Sequence, residues 1–163
     1  MDRREIPEMK TQAVMGIDPG VRGGVAVLGE GKGIIFVSGL KPGMTQKAVV
    51  GIVRMAAEWL RVAGGSVCII EKVGFKKGDG GKGANTFGRI DGLLRGAALS
   101  MSLDVHDVYP FFWQSMMNCS SGGNKNVTKK KAQELFPSVK ITHAIADALL
   151  IARYGQLMLE RKG

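Results

Sequence analysis

No apolar run in this 163-residue chain approaches the roughly 18 residues that a membrane-spanning helix needs. A membrane partner is therefore not expected. Cysteine is nearly absent: Cys68 and Cys119 are the whole complement, and they lack metal-ligand spacing. Cys68 sits inside an apolar strand pattern, so both its burial and a reducing location, the cytoplasm or another reducing compartment, are expected. The first residues lack the apolar stretch of a secretion signal, and residues 1–12 are expected to form a flexible tail. There is no internal repeat and no linker, so residues 13–163 are expected to form one domain. Acid is also in short supply. Lys+Arg 23 against Asp+Glu 14 gives a formal charge of +9 and a pI near 9.8, a balance that favours a polyanionic partner.

What is present reads as alternating strands and helices. Short Val-rich runs at 13–18, 23–28 and 33–38, separated by glycine-rich turns, predict an antiparallel meander. Residues 45–63 carry apolar positions at a helical period and end at Gly64-Gly65. The run at 66–71 is apolar on both faces, as suits a central parallel strand reached by a crossover helix. A helix over 85–101, a strand over 105–108, a loop, and helices over 125–135 and 141–159 complete an α/β domain.

Three acids stand where burial is expected. Asp18 and Glu71 each end an apolar strand, and Asp147 interrupts a helix with hardly any polar face. A carboxylate in apolar surroundings is costly unless paired, protonated or bound to a cation. Three all-oxygen donor groups suit a hard divalent ion such as Mg²⁺, and in a basic protein the natural substrate of such an ion is a phosphodiester. His143 lies four residues before Asp147, hence on the same helix face, and joins the site as a catalytic or metal-ligand candidate. His106 has no such partner and reads as strand or loop filler. Asp104 and Asp107 lack a burial argument and are left outside the site.

Two basic stretches break the globular pattern. Residues 72–83 combine glycines with Lys72, Lys76, Lys77 and Lys82 and the aromatic Phe75; the composition suits either a solvated loop or one that neutralises phosphates while Phe75 stacks on bases. The second stretch leads into Lys125, Lys129, Lys130 and Lys131. Successive lysines on a helix point about 100° apart and cannot all face one site. Some therefore face solvent, and Lys125, where the helix begins, is the better functional candidate; Lys129 and Lys130, together with Arg89, are expected nucleic-acid contacts. Gly88, Gly92 and Gly96 recur every four residues in the second helix, which implies a close approach, either to the sheet or to a second copy of the helix.

Gly16-Ile17-Asp18-Pro19-Gly20, Ile69-Ile70-Glu71 and the run from His143 to Ala152, in that order, resemble the RuvC group of Holliday-junction resolvases. The resemblance covers residues 13 to about 155. Tyr109-Pro110-Phe111-Phe112-Trp113, Leu135-Phe136-Pro137 and the four-residue His-to-acid spacing are similar to phage and plant-chloroplast members; bacterial RuvC has a three-residue spacing. The resemblance implies a ribonuclease-H-like fold with a mixed five-stranded sheet flanked by helices, a homodimer acting on a four-way DNA junction, and two Mg²⁺ ions per site, replaceable by Mn²⁺. It implies that Asp18, Glu71 and Asp147 hold the metal, with His143 an outer ligand or a water-orienting group. Lys125 would steady the scissile phosphate. Gln114 stands near the place of a second lysine in the bacterial family. The implied reaction is paired hydrolytic nicking that leaves 5′-phosphate and 3′-hydroxyl ends. Alternatives are a ribonuclease-H-like nuclease acting on structured RNA, such as the YqgF type, and a junction-binding protein without catalysis. The actin-like ATPases share an Asp-x-Gly turn but need two such subdomains, more than 163 residues provide.

Overall fold

A computed structural model describes residues 12–74 and 80–162. Five strands, β1 (Val14–Asp18), β2 (Gly24–Leu28), β3 (Ile34–Gly39), β4 (Val67–Glu71) and β5 (Asp104–Val108), form one mixed sheet in the order β3-β2-β1-β4-β5. The meander β1-β2-β3 is antiparallel, as expected, while β4 runs parallel to both β1 and β5. Helices α1 (Gln46–Val62) and α2 (Gly81–Ser100) are the crossovers that precede β4 and β5. Then come α3 (Pro110–Met116), α4 (Lys125–Leu135) and α5 (His143–Glu160).

Strand alternation divides the core into two layers. Met15, Ile17, Val25, Val27, Cys68 and Ile70 pack under α1 and α2. Val14, Ala26, Leu28 and Ile69 point the other way and pack against α3, α4 and α5. By the same period of two, Asp18 and Glu71 fall on the face covered by α5.

α5 lies unusually close to the sheet, and glycine is the reason. A Cβ on Gly16 of β1 would overlap the Ala148 carbonyl oxygen and the Ala152 nitrogen and come within 2.9 Å of the Ala152 Cα; one on Gly24 of β2 would overlap the Ala144 carbonyl oxygen. Ala144, Ala148, Ala152 and Gly155 recur along one stripe of α5, so small residues meet small residues across the contact.

Two expectations for α2 are corrected. The helix begins at Gly81 rather than 85, so Lys82 stands in its first turn; Gly81 and Gly83 are poor helix formers and hid that turn. Nor do Gly88, Gly92 and Gly96 pack on the sheet: all three are exposed, and a Cβ on any of them meets nothing within 4 Å. α3 occupies part of the stretch expected to be loop. Its seven residues are too few to show a period, although Pro110 at its start is a helix-initiating signal.

Candidate active site

β1 and β4 are parallel neighbours with Ile17 beside Ile70, so the next residue of each strand, Asp18 and Glu71, emerges at the same edge of the sheet. The ends of parallel strands are where open α/β sheets place their sites. The close approach of α5 to β1 then brings in Asp147, one residue before Ala148. Asp18, Glu71 and Asp147 are only 5%, 8% and 8% exposed. All three line one cavity of about 570 Å³, together with Val73, Phe87, Pro110, Phe111, Gln114, Lys125 and Thr128.

Burial and mutual repulsion mark these acids. Asp18 is pushed up from its ordinary 3.8 to about 6, by burial first and then by the charge of Asp147; Lys125 and the Gly20 backbone N–H oppose the rise. Glu71 rises from 4.5 to about 7, again by burial first and then by Asp18, with the Trp113 hydrogen bond opposing, a further push from Asp147 and a pull from Lys125. Oδ2 of Asp18 and Oδ1 of Asp147 are buried with no hydrogen-bond partner among the described residues. Orphaned carboxylate oxygens, an all-oxygen donor set and a shared cavity fit a hard divalent cation. Among the described residues no three His, Cys, Asp or Glu side chains form a finished metal cluster, so the acids share the cavity without closing on a single point.

This electrostatic strain has a measurable sign. The metal-free fold binds more protons than the unfolded chain between about pH 4 and pH 7, because both acids have raised values in the fold. Stability therefore falls as pH rises through that window, by on the order of a few kcal/mol at about 1.4 per pKa unit. In chelator, the melting temperature is expected to drop between pH 5 and pH 8, and Mg²⁺ or Mn²⁺ to restore it at pH 8. An Asp18→Asn, Glu71→Gln double variant should melt with little dependence on either. Wild-type melting indifferent to both pH and metal would contradict the assignment.

Sequence reasoning missed Trp113. It is fully buried on α3, and its indole Nε1–H donates to Glu71 Oε2 at 2.6 Å. A buried tryptophan seeks a partner for its N–H, which was the available signal. The bond fixes one oxygen of Glu71. Trp113→Phe keeps a ring but deletes the donor, and such supporting bonds are worth about 10–100-fold in metal affinity or activity. The Mg²⁺ concentration that half-restores the melting temperature at pH 8 is expected to rise accordingly; an unchanged requirement would reduce Trp113 to packing.

The other expected residues divide. Lys125, at the start of α4, faces the acid cavity and also two adjoining depressions. One of these contains Lys82 and Arg22, the latter an exposed residue of the β1–β2 turn that sequence reading passed over. The other contains Arg22 and His143. His143 is exposed at the first turn of α5 and does not line the cavity of the three acids. Lys72 does not line it either: its ammonium lies 3.8 Å from Asp107 and 5.6 Å from the centroid of the Tyr109 ring. Asp107 also pairs with Arg95, which bonds Asp91 at 2.8 Å, so these charges tie β5 to α2. Arg89, Lys129 and Lys130 stand on α2 and α4 away from the cavity lining. Phe75, Lys76 and Lys77 lie outside the described residues. Gln114 lines the cavity, and its Oε1 accepts from the Ser121 backbone N–H at 3.1 Å, so it fastens the loop before α4. His106 does have a partner: its Nε2 is 2.9 Å from Asp104, two residues away on the same strand face.

No protein-family profile and no curated protein match the chain. Solved structures do. The RuvC structure of Thermus thermophilus superposes with a TM-score of 0.66 at 21% identity, covering 93% of this chain and 97% of that one. The same protein in complex with a Holliday junction substrate gives 0.64 at 20%, covering 93% and 96%. The yeast mitochondrial Holliday junction resolvase aligns at 0.49 and 15%, over 94% of this chain and 83% of that one. At these identities the likeness establishes the architecture: the chain has the ribonuclease-H-like fold of RuvC.

Proposed function

We propose that the protein is a divalent-metal-dependent endonuclease that resolves four-way DNA junctions by paired nicks. The observation that carries this reading is the placement of Asp18, Glu71 and Asp147, all buried and two of them (Asp18 and Asp147) with an orphaned oxygen, in one cavity that Lys125 also lines. The RuvC likeness supports it, since one of those neighbours is bound to a Holliday junction.

Asp18, Glu71 and Asp147 would hold Mg²⁺, or Mn²⁺ in its place, which supplies Lewis-acid chemistry for phosphodiester hydrolysis. The chain's own groups prepare the rest. The Gly20 N–H and the Trp113 N–H each orient one carboxyl. Lys125 brings positive charge to the scissile phosphate, and Arg22 and Lys82 extend that charge along the backbone beyond it. Hydrolysis then leaves 5′-phosphate and 3′-hydroxyl ends.

Symmetrical nicking calls for two sites related by a two-fold axis, and a homodimer supplies them. The exposed stripe of α2, where Gly88, Gly92 and Gly96 meet no neighbour and Leu99 is 60% exposed, is the face that would meet its counterpart. Gly92→Leu is expected to fold, since nothing occupies the space, yet to sediment as a monomer when the wild type is a dimer. A fully dimeric variant would move the interface elsewhere.

The nuclease reading is tested with a panel of a four-way junction, a linear duplex and a structured RNA, each in Mg²⁺. Cleavage of the junction at least tenfold faster than of the others is expected. Preferential cleavage of the RNA would favour the RNA-processing alternative, and binding without cleavage the non-catalytic one.

A further inference from the structure

Four of the chain's ten aromatic residues fall within positions 109–113. α3 sorts them. Trp113 turns inward to Glu71, whereas Phe111, Phe112 and Tyr109 remain 73%, 57% and 47% exposed. Phe111 lines the acid cavity, as does Phe87 from α2. The Phe112 ring meets that of Phe111 edge to face, with centroids 5.6 Å apart and planes at 77°, and so braces it.

Internal packing does not account for this arrangement, because the rings face outward. Their surroundings specify the chemistry of what they meet. The same cavity holds three acids suited to a cation and the Lys125 ammonium; Arg22 and Lys82 line the depression that adjoins it. A ligand that suits both the cations and a bare aromatic face has a phosphate joined to a flat ring system. Aromatic side chains beside a phosphate-binding surface stack on unpaired bases without regard to sequence.

We propose that Phe111 is a nucleobase-stacking residue, holding a base next to the phosphate that is presented to Asp18, Glu71 and Asp147. The proposal rests on the nuclease reading and deepens it: the preferred substrate has an unstacked base at the cut site, as the centre of an open junction provides. Only two positions separate Phe111 from Trp113, whose ring is buried and bonded to Glu71. Base capture and the placement of a catalytic carboxylate are thus built on one short helix.

The test uses junctions carrying 2-aminopurine at successive positions around the exchange point, bound in chelator so that no cleavage occurs. Wild-type protein should change the fluorescence at the base beside the cleaved phosphate. Phe111→Ala, at a site exposed enough to leave melting unchanged, should lose that change and bind about 10–100-fold more weakly. Phe111→Trp should keep both. Wild-type cleavage of the same junctions in Mg²⁺ separates the two claims. If the wild type cleaves and Phe111→Ala matches it in affinity, fluorescence and cleavage, stacking is overturned and the aromatic face serves another partner, such as a protein. If the wild type neither binds nor cleaves, the nuclease reading itself falls.

Discussion

Asp18→Asn is expected to lower metal-dependent junction cleavage by about a thousandfold or more, equivalent to roughly 4 kcal/mol in the barrier, with junction affinity unchanged or tighter. Asp18 is the acid most enclosed by the fold: it ends the central strand, is 5% exposed, raises the pKa of Glu71, and has its own raised by Asp147. Removing its charge would take one donor from the proposed cation while relieving repulsion against the other two acids. Backbone phosphates are held by lysine and arginine, so binding and its steep salt dependence should survive. Glu71→Gln and Asp147→Asn are expected to behave alike. A variant that retains wild-type cleavage would remove its residue from the site.

Gly16→Ala is expected to cost about 3 kcal/mol or more, at the upper end of what an added methyl does in a packed core. The new methyl would overlap backbone atoms of Ala148 and Ala152, which cannot rotate aside as a side chain can. α5 would have to lift from β1, and the melting temperature should fall by about 6–12 °C for a chain of this size. Because Asp147 is carried on the same turn as Ala148, the residual folded protein should also lose activity. Gly51→Ala, in open space on α1, should do the reverse and stabilise by about 1 kcal/mol. Equal effects at the two glycines would mean that close approach of α5 to the sheet does not set the geometry.

These glycines show why part of the structure was legible in the chain and part was not. A strand's burial pattern is local, so Val14–Asp18 and Val67–Glu71 could be recognised from their own residues, and a terminal acid stood out against each. Asp147 stood out in the same way against the apolar run of α5. Close approach is not local. The repeat at Gly88, Gly92 and Gly96 suggested it but faces outward, while the true contact pairs isolated glycines of β1 and β2 with an alanine stripe more than a hundred residues later. The support of Glu71 by Trp113, 42 residues away, depends on that same long-range assembly. Lys72 illustrates the remaining difficulty: its basic, glycine-rich neighbourhood suggested a phosphate contact, yet Asp107 on the adjacent strand reaches its ammonium. His143 shares a helix face with Asp147, but that face runs from the buried cavity out to the exposed first turn.

The central claim is that three buried carboxylates form a metal-dependent site for cutting a branched DNA. The most direct measurement is a map of the nicks on a four-way junction labelled in turn on each strand, with and without Mg²⁺, using wild-type protein and Asp18→Asn. The account predicts Mg²⁺-dependent nicks at symmetry-related positions on two opposed strands, with 5′-phosphate ends, and none from the variant. Cleavage that persists in chelator, or that Asp18→Asn performs as well as the wild type, would contradict it.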